Sequence, residues 1–253
     1  MSVLERIVER VRTDLDRRRG IRTEAQFRDG LRASTRDFRA ALASPGLALI
    51  AEFKPRSPSL GALRSRDEVE EFARLYEGRA GAMSVLCDEA HFDGGFDLLR
   101  RARSACDLPL LCKDFVLDAY QVYEAREAGA DAVLLMAAVI DDRSIAELSG
   151  IASGLGMDAL VEVHDDAELE RVLALGCPII GVNARNLHDL TIDADRLARL
   201  VDAVPTDRIV VAESGIRLRS DVEAIPERAN AVLIGSAFMA AEVPEKKLEE
   251  LGW

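Results

Sequence analysis

Eight short apolar runs punctuate this chain at intervals of roughly 20–35 residues, and that rhythm limits its folds more than any other feature. The runs end near Phe53, Leu86, Cys112, Met136, Val163, Val182, Ala212 and Ile234. Amphipathic stretches rich in Ala, Leu, Glu and Arg lie between them, among them Asp67–Tyr76, Phe96–Ala105, Asp118–Ala128, Asp142–Ser153, Asp165–Leu175, Asp193–Val201 and Arg217–Ile225. Runs of this length with no polar alternation suit strands covered on both faces. Gly129, Gly154 and Gly176 suit helix C-termini, and Asp or Ser at the starts suit N-caps. Eight strands alternating with helices predict an α/β fold, a (β/α)8 TIM barrel. A doubly wound open sheet is the competing architecture, but no GxGxxG follows the first strand.

Residues 1–46 carry a helical stripe of Val3, Leu4, Ile7, Val8, Val11 and Leu15, and the turn Ser44-Pro45-Gly46 closes the region. The expectation is one barrel domain over residues 1–253, with 1–46 as a helical N-terminal extension packed on it. At 253 residues and 49% hydrophobic, the chain can bury a core of that size.

Several function classes are disfavoured. The net charge of −12 speaks against nucleic acid as a partner, and an anionic ligand would need a local positive patch. The longest apolar run, Ala132 to Ile140, is too short to span a bilayer, so no membrane association is expected. Cys87, Cys106, Cys112 and Cys177 form no CxxC pair and suggest reduced thiols in a cytoplasmic protein. His91, His164 and His188 lack ligand spacing, so no metal site is expected. Oligomeric state leaves no trace in the sequence.

A barrel places its active site at the C-terminal ends of its strands. Strand one delivers Glu52 and Lys54, two apart and so on one face, into the loop Pro55-Arg56-Ser57-Pro58-Ser59. That stretch alone would also suit a surface ion pair. Strand three ends in Lys113-Asp114, and strand five carries Glu162 and then His164. Strand six presents Asn183 and Arg185, strand seven ends in Glu213-Ser214-Gly215, and strand eight in Gly235-Ser236. Six polar strand ends are hard to reconcile with a purely structural role, because unpaired buried charge is costly. Only four of the 33 basic residues are lysines, and two of them, Lys54 and Lys113, directly follow strands. Lysine can release its proton near neutral pH and arginine cannot. Ser214-Gly215 and Gly235-Ser236, before helices seven and eight, suit a phosphate held by loop amides.

The segments Ile50-Ala51-Glu52-Phe53-Lys54-Pro55-Arg56-Ser57-Pro58-Ser59, Leu111–Phe115, Leu160–His164, Gly181–Leu187, Ala212–Ile216 and Ile234–Ser236 resemble, in order and spacing, the indole-3-glycerol phosphate synthase family of tryptophan biosynthesis. The resemblance covers about residues 45–240. Pro55 stands where the family often has a basic or small residue, Cys87 where it has Thr, and Phe92-Asp93-Gly94-Gly95 is a variant loop. The resemblance implies a phosphorylated small-molecule substrate, 1-(2-carboxyphenylamino)-1-deoxyribulose 5-phosphate, converted without a cofactor to indole-3-glycerol phosphate, carbon dioxide and water. It further implies Lys113 as general acid and Glu162 as general base. Lys54, steadied by Glu52, becomes a second acid or a partner for the substrate carboxylate. Asn183, Arg185, Glu213 and Ser57 would hold hydroxyls and carboxylate, and Ser214, Gly215, Gly235 and Ser236 the phosphate. Phe92, Leu134 and Leu187 would wall the aromatic ring. The nearest competing barrel chemistry, that of phosphoribosylanthranilate isomerase, would need a Cys–Asp acid/base pair, and the apolar setting of Cys112 does not suggest an activated thiolate. A sensor that binds a sugar phosphate without turnover is the rival outside enzymes.

Overall fold

The computed structural model describes residues 3–186 and 191–253. Eight parallel strands close on themselves in chain order: β1 (Ala48–Phe53), β2 (Ala82–Leu86), β3 (Leu110–Lys113), β4 (Ala132–Met136), β5 (Asp158–Val163), β6 (Ile179–Asn183), β7 (Ile209–Glu213) and β8 (Ala231–Ile234), with β8 pairing back onto β1. Helices follow the strands: α2 (Val69–Tyr76), α3 (Phe96–Ala105), α4 (Ala119–Glu127), α5 (Asp142–Gly154), α6 (Asp166–Ala174), α7 (Ala194–Ala203), α8 (Arg219–Glu223) and α9 (Pro244–Leu251), while α1 (Val3–Ile21) precedes the barrel. This is the (β/α)8 barrel, not the open sheet.

Strand parity divides the core in two. Leu49, Ala51, Phe53, Met83, Val85, Val161 and Val163 point outward into the layer beneath the helices. Ile50, Leu111, Leu134, Leu160, Ile179, Val211 and Leu233 point inward, and Phe38 and Leu42 join them. Because side chains alternate along a strand, the residues two positions beyond this inner set also face the axis. These are Glu52, Lys113, Met136, Glu162, Gly181, Glu213 and Gly235. The polar ring is therefore a continuation of the barrel's own packing layers.

The helix boundaries differ from the sequence expectation for identifiable reasons. Asp118, Asp165 and Asp193 stand just outside their helices as N-caps, accepting from the amides of Tyr120, Glu168 and Arg196. The α8 helix begins two residues late because the Asp221 carboxylate already accepts from the amides of Arg217 and Leu218, at 2.8 Å each. Gly154 is the last residue of α5, and the left-handed turn falls on Gly156, at φ +68°. On α1, Ile7, Val11 and Leu15 are buried, and Arg18 pairs with Glu124 of α4. No described helix is long and apolar enough to cross a membrane.

Candidate active site

A cavity of about 220 Å³ opens at the C-terminal ends of the strands. Every described residue given a catalytic, substrate or phosphate role from the sequence lines it: Glu52, Lys54, Ser57, Phe92, Lys113, Leu134, Glu162, Asn183, Arg185, Glu213, Ser214, Gly215, Gly235 and Ser236; His164, the other polar residue at the end of β5, is buried behind Glu162 and does not. Leu187, expected on the aromatic wall, and His188 lie outside the described residues.

Lys113 is the centre of the charge network. Its Nζ donates to Glu162 Oε2 at 2.7 Å and to Glu213 Oε2 at 3.0 Å. Burial alone would lower the proton affinity of this amine, but the acids around it, Glu162 foremost, outweigh it and hold the amine charged. Burial would likewise raise Glu162. Lys113 and His164 overcome that and hold its carboxyl well below the usual range. Glu213 goes the other way. Burial and the nearby Glu162 charge push it up to about 8 against the pull of Lys113, so at neutral pH it carries a proton. One amine thus sits between an ionised and a neutral carboxyl, which avoids two buried negative charges side by side.

The remaining contacts fix these groups in place. Asn183 donates from Nδ2 to Glu162 Oε1 at 3.1 Å, while its own Oδ1 accepts from the Arg185 amide at 2.9 Å. Lys54, just past the end of β1, donates back to Glu52 Oε1 of the same strand at 2.6 Å. Tyr76, fully buried, donates from its hydroxyl to the Glu52 carbonyl at 3.3 Å and secures the end of β1. Two glycines make room for the acids. A Cβ on Gly235 would collide with the carboxylate of Glu52, and one on Gly181 with that of Glu213.

The loops complete the walls. Ser57 accepts from the Leu60 amide at 3.1 Å and stabilises a small hairpin, Arg56–Ser57 paired with Gly61–Ala62, over one side of the mouth. Phe92 leans on Phe115 with ring centroids 6.4 Å apart. Ser214 adopts φ +70° and Gly215 φ +86°, two successive left-handed residues immediately after β7. For a serine that conformation costs of order 1–3 kcal/mol, and such strain clusters at functional turns.

Some lining residues were not anticipated. Met136 follows from Leu134 by strand parity and could have been named. Phe115 lies inside the quoted Leu111–Phe115 segment, and Arg217 one residue past Ile216; neither had a chemical signal of its own. Leu4 and Ile7 of α1 also reach the cavity, and nothing local in the sequence indicates so distant a contact.

A sequence profile of indole-3-glycerol phosphate synthase matches residues 4–251. The chain belongs to the indole-3-glycerol phosphate synthase family. An indole-3-glycerol phosphate synthase of Polaromonas naphthalenivorans is 47% identical over 226 residues, covering 87% of this chain and 86% of that protein. Indole-3-glycerol phosphate synthase 2 of Streptomyces coelicolor is 46% identical over 254 residues, covering 99% and 98%. Among solved structures, a 3-hexulose-6-phosphate synthase superposes with a TM-score of 0.66 at 16% identity, over 81% of this chain and 98% of that one. A thiamine phosphate pyrophosphorylase from Pyrococcus furiosus gives 0.61 at 21%, over 81% and 93%. At those identities the two structures speak for the barrel alone.

Proposed function

We propose that this protein is an indole-3-glycerol phosphate synthase, a carboxy-lyase that closes, decarboxylates and dehydrates 1-(2-carboxyphenylamino)-1-deoxyribulose 5-phosphate. Family membership supports the activity. The observation that carries the assignment of roles is the position of Lys113, a charged amine facing the cavity with a strong carboxylate 2.7 Å away.

Ring closure joins an aromatic carbon to the ketone carbon. The carbonyl electrons move to oxygen, which takes a proton from Lys113 as general acid. Carbon dioxide then leaves, and the electrons of its bond discharge the iminium that the substrate nitrogen has formed. Dehydration needs one proton removed from carbon and the new hydroxyl expelled as water. Glu162 takes the carbon-bound proton, and Lys54, held by Glu52, supplies the proton for the leaving hydroxyl.

The order of events arms the base. While Lys113 is charged, Glu162 is a weak base because that charge depresses it. Once Lys113 has given its proton away, the depression is relieved and Glu162 Oε2 becomes a better acceptor. The same short contact then resets the pair, since the proton gathered by Glu162 can pass directly to the neutral Lys113. Lys54 alone must be recharged from solvent. Two protons enter, one is recovered, and the difference is the proton consumed when a carboxylate departs as carbon dioxide.

Ser214, Gly215, Gly235 and Ser236 are assigned the phosphate, and Arg185 with Ser57 the substrate carboxylate and hydroxyls. Phe92 and Leu134 wall the anthranilate ring. The test mixes purified protein with the anthranilate ribulotide, adds no cofactor, and follows indole fluorescence. Product formation that depends on Glu162, with Glu162→Gln losing turnover but not substrate affinity, is the expected result. Affinity without indole would overturn the enzyme reading in favour of a sugar-phosphate sensor.

A further inference from the structure

His164 takes no part in these proton transfers, yet it touches the group that does. It lies two residues beyond Glu162 at the end of β5 and is buried, at 7% exposure. Its Nε2 is 3.1 Å from Glu162 Oε1, and its Nδ1 is 3.3 Å from Glu168 Oε2. The Nε2 contact lies off the line of a directed hydrogen bond, so charge attraction dominates it. Glu168 is itself fixed. Its Oε2 accepts from the His164 amide at 2.7 Å, and its own amide donates to the α6 cap, Asp165 Oδ1, at 2.9 Å.

Each ring nitrogen therefore faces a carboxylate oxygen. A neutral imidazole has one N–H and one lone pair, and here the lone pair would confront an anion whichever tautomer formed. Only the doubly protonated ring suits both neighbours. Burial works against that charge, but Glu162 and Glu168 outweigh it and raise the imidazolium to about 9. The consequence for Glu162 is an uneven division of labour between its oxygens. Oε1 is taken by Asn183 and His164, both at 3.1 Å, while Oε2 is met by Lys113.

We propose that His164 is a positioning residue of the reaction: an imidazolium clamped between Glu162 and Glu168 that anchors Oε1 and keeps Glu162 ionised, leaving Oε2 as the basic atom after Lys113 is spent. This rests on the reading of Glu162 as the base. Without His164, Glu162 loses a cation that does not take part in catalysis. Its proton affinity then rises too early, and the carboxylate is free to turn.

The other charged groups facing this pair are Lys113 of β3 and, through Lys113, Glu213 of β7 and Glu52 of β1. Lys113 and Glu213 titrate on the alkaline side. Asp114, pushed up to about 6 by burial, contacts Gln121, so an acid limb belonging to it would ignore changes at position 164.

The experiment measures kcat and KM against pH for wild type, His164→Asn, Glu168→Gln, the double variant and Glu162→Gln. In H164N, kcat falls about tenfold to a hundredfold, as for a misplaced reacting group, while KM stays within about twofold. The acid limb of kcat moves up by about one pH unit, as loss of an adjacent opposite charge requires. E168Q moves the limb the same way by less, and adding it to H164N moves nothing further. In parallel, the His164 resonance of wild type, assigned by elimination with His91→Gln and His188→Gln, stays in the protonated form to about pH 9. An acid limb that is unmoved in both single variants, or a His164 resonance titrating near 6.5, overturns the proposal and leaves a structural histidine. E168Q and the wild-type spectrum decide the matter even if H164N does not fold. Normal turnover in E162Q would sink the base assignment instead, whatever His164 does.

Discussion

Glu213 offers a direct test of the charge distribution in the cavity. Its carboxyl is 2% exposed and keeps its proton up to about pH 8, against an ordinary value of 4.5. Between those two pH values the native protein holds a proton that the unfolded chain has released. Stability must therefore fall as pH rises through this window, by about 1.4 kcal/mol per pH unit for one group. Below pH 4.5 the contribution is fully present, and above pH 8 it is gone. The total is about 5 kcal/mol, a large share of the 5–15 kcal/mol typical of a folded domain. Glu213→Gln has nearly the same shape and no proton to lose, so its stability lacks this decline. Denaturant unfolding of both proteins at half-unit steps from pH 5 to 8.5 isolates the effect, because His164, Asp114 and Glu124 contribute to both curves. The difference between the curves should shift in favour of E213Q by several kcal/mol across the series. Parallel curves would mean that Glu213 is ionised in the native state and that Lys113 lies between two anions, which would refute the picture of one charged and one neutral acid.

Lys113→Arg keeps the positive charge between Glu162 and Glu213 but cannot release a proton near neutral pH. Turnover should drop by about 10²–10⁴ with substrate affinity largely kept, and near-normal turnover in steady-state kinetics would remove Lys113 as the acid. Gly235→Ala drives a methyl group into the Glu52 carboxylate. Displacing that group frees Lys54, so kcat should fall and KM rise, each about tenfold or more, while circular dichroism stays native; kinetics within twofold of wild type would contradict the crowding. Asp131, fully buried, accepts from Arg103, Arg126, Ser34 and the Leu110 amide at 2.9, 3.2, 2.6 and 2.9 Å. Asp131→Ala should cost about 3–5 kcal/mol in chemical denaturation and leave KM unchanged, since the network lies at the opposite end of β4 from the cavity.

The residues legible from sequence were those for which position along a strand decides direction. Glu52, Lys113, Glu162 and Glu213 each stand two positions beyond an inward-facing apolar residue, so the alternation that builds the barrel core also aims the reactive groups. What stayed hidden depends on contacts between distant segments. Leu4 and Ile7 reach the cavity mouth only because α1 folds back over the barrel. Gly181 looks like an ordinary strand glycine until the Glu213 carboxylate is found against it.

Charge state belongs to the same hidden class, and it bears most on the chemistry. A list of strand ends holds Glu162 and Glu213 as equivalent acids beside one lysine. In the folded chain they diverge because their surroundings differ by a few donors: among the described residues Glu162 has Lys113, Asn183 and His164, whereas Glu213 has Lys113 as its donor and a second carboxyl oxygen that no described donor reaches. That unpartnered oxygen and a neutral carboxyl are two expressions of one fact, since a buried anion would demand donors that this position lacks. Moving a donor toward Glu213, or taking His164 away from Glu162, should therefore bring the two acids closer in proton affinity. The pair would lose the asymmetry that lets one lysine serve as acid while only one neighbour serves as base.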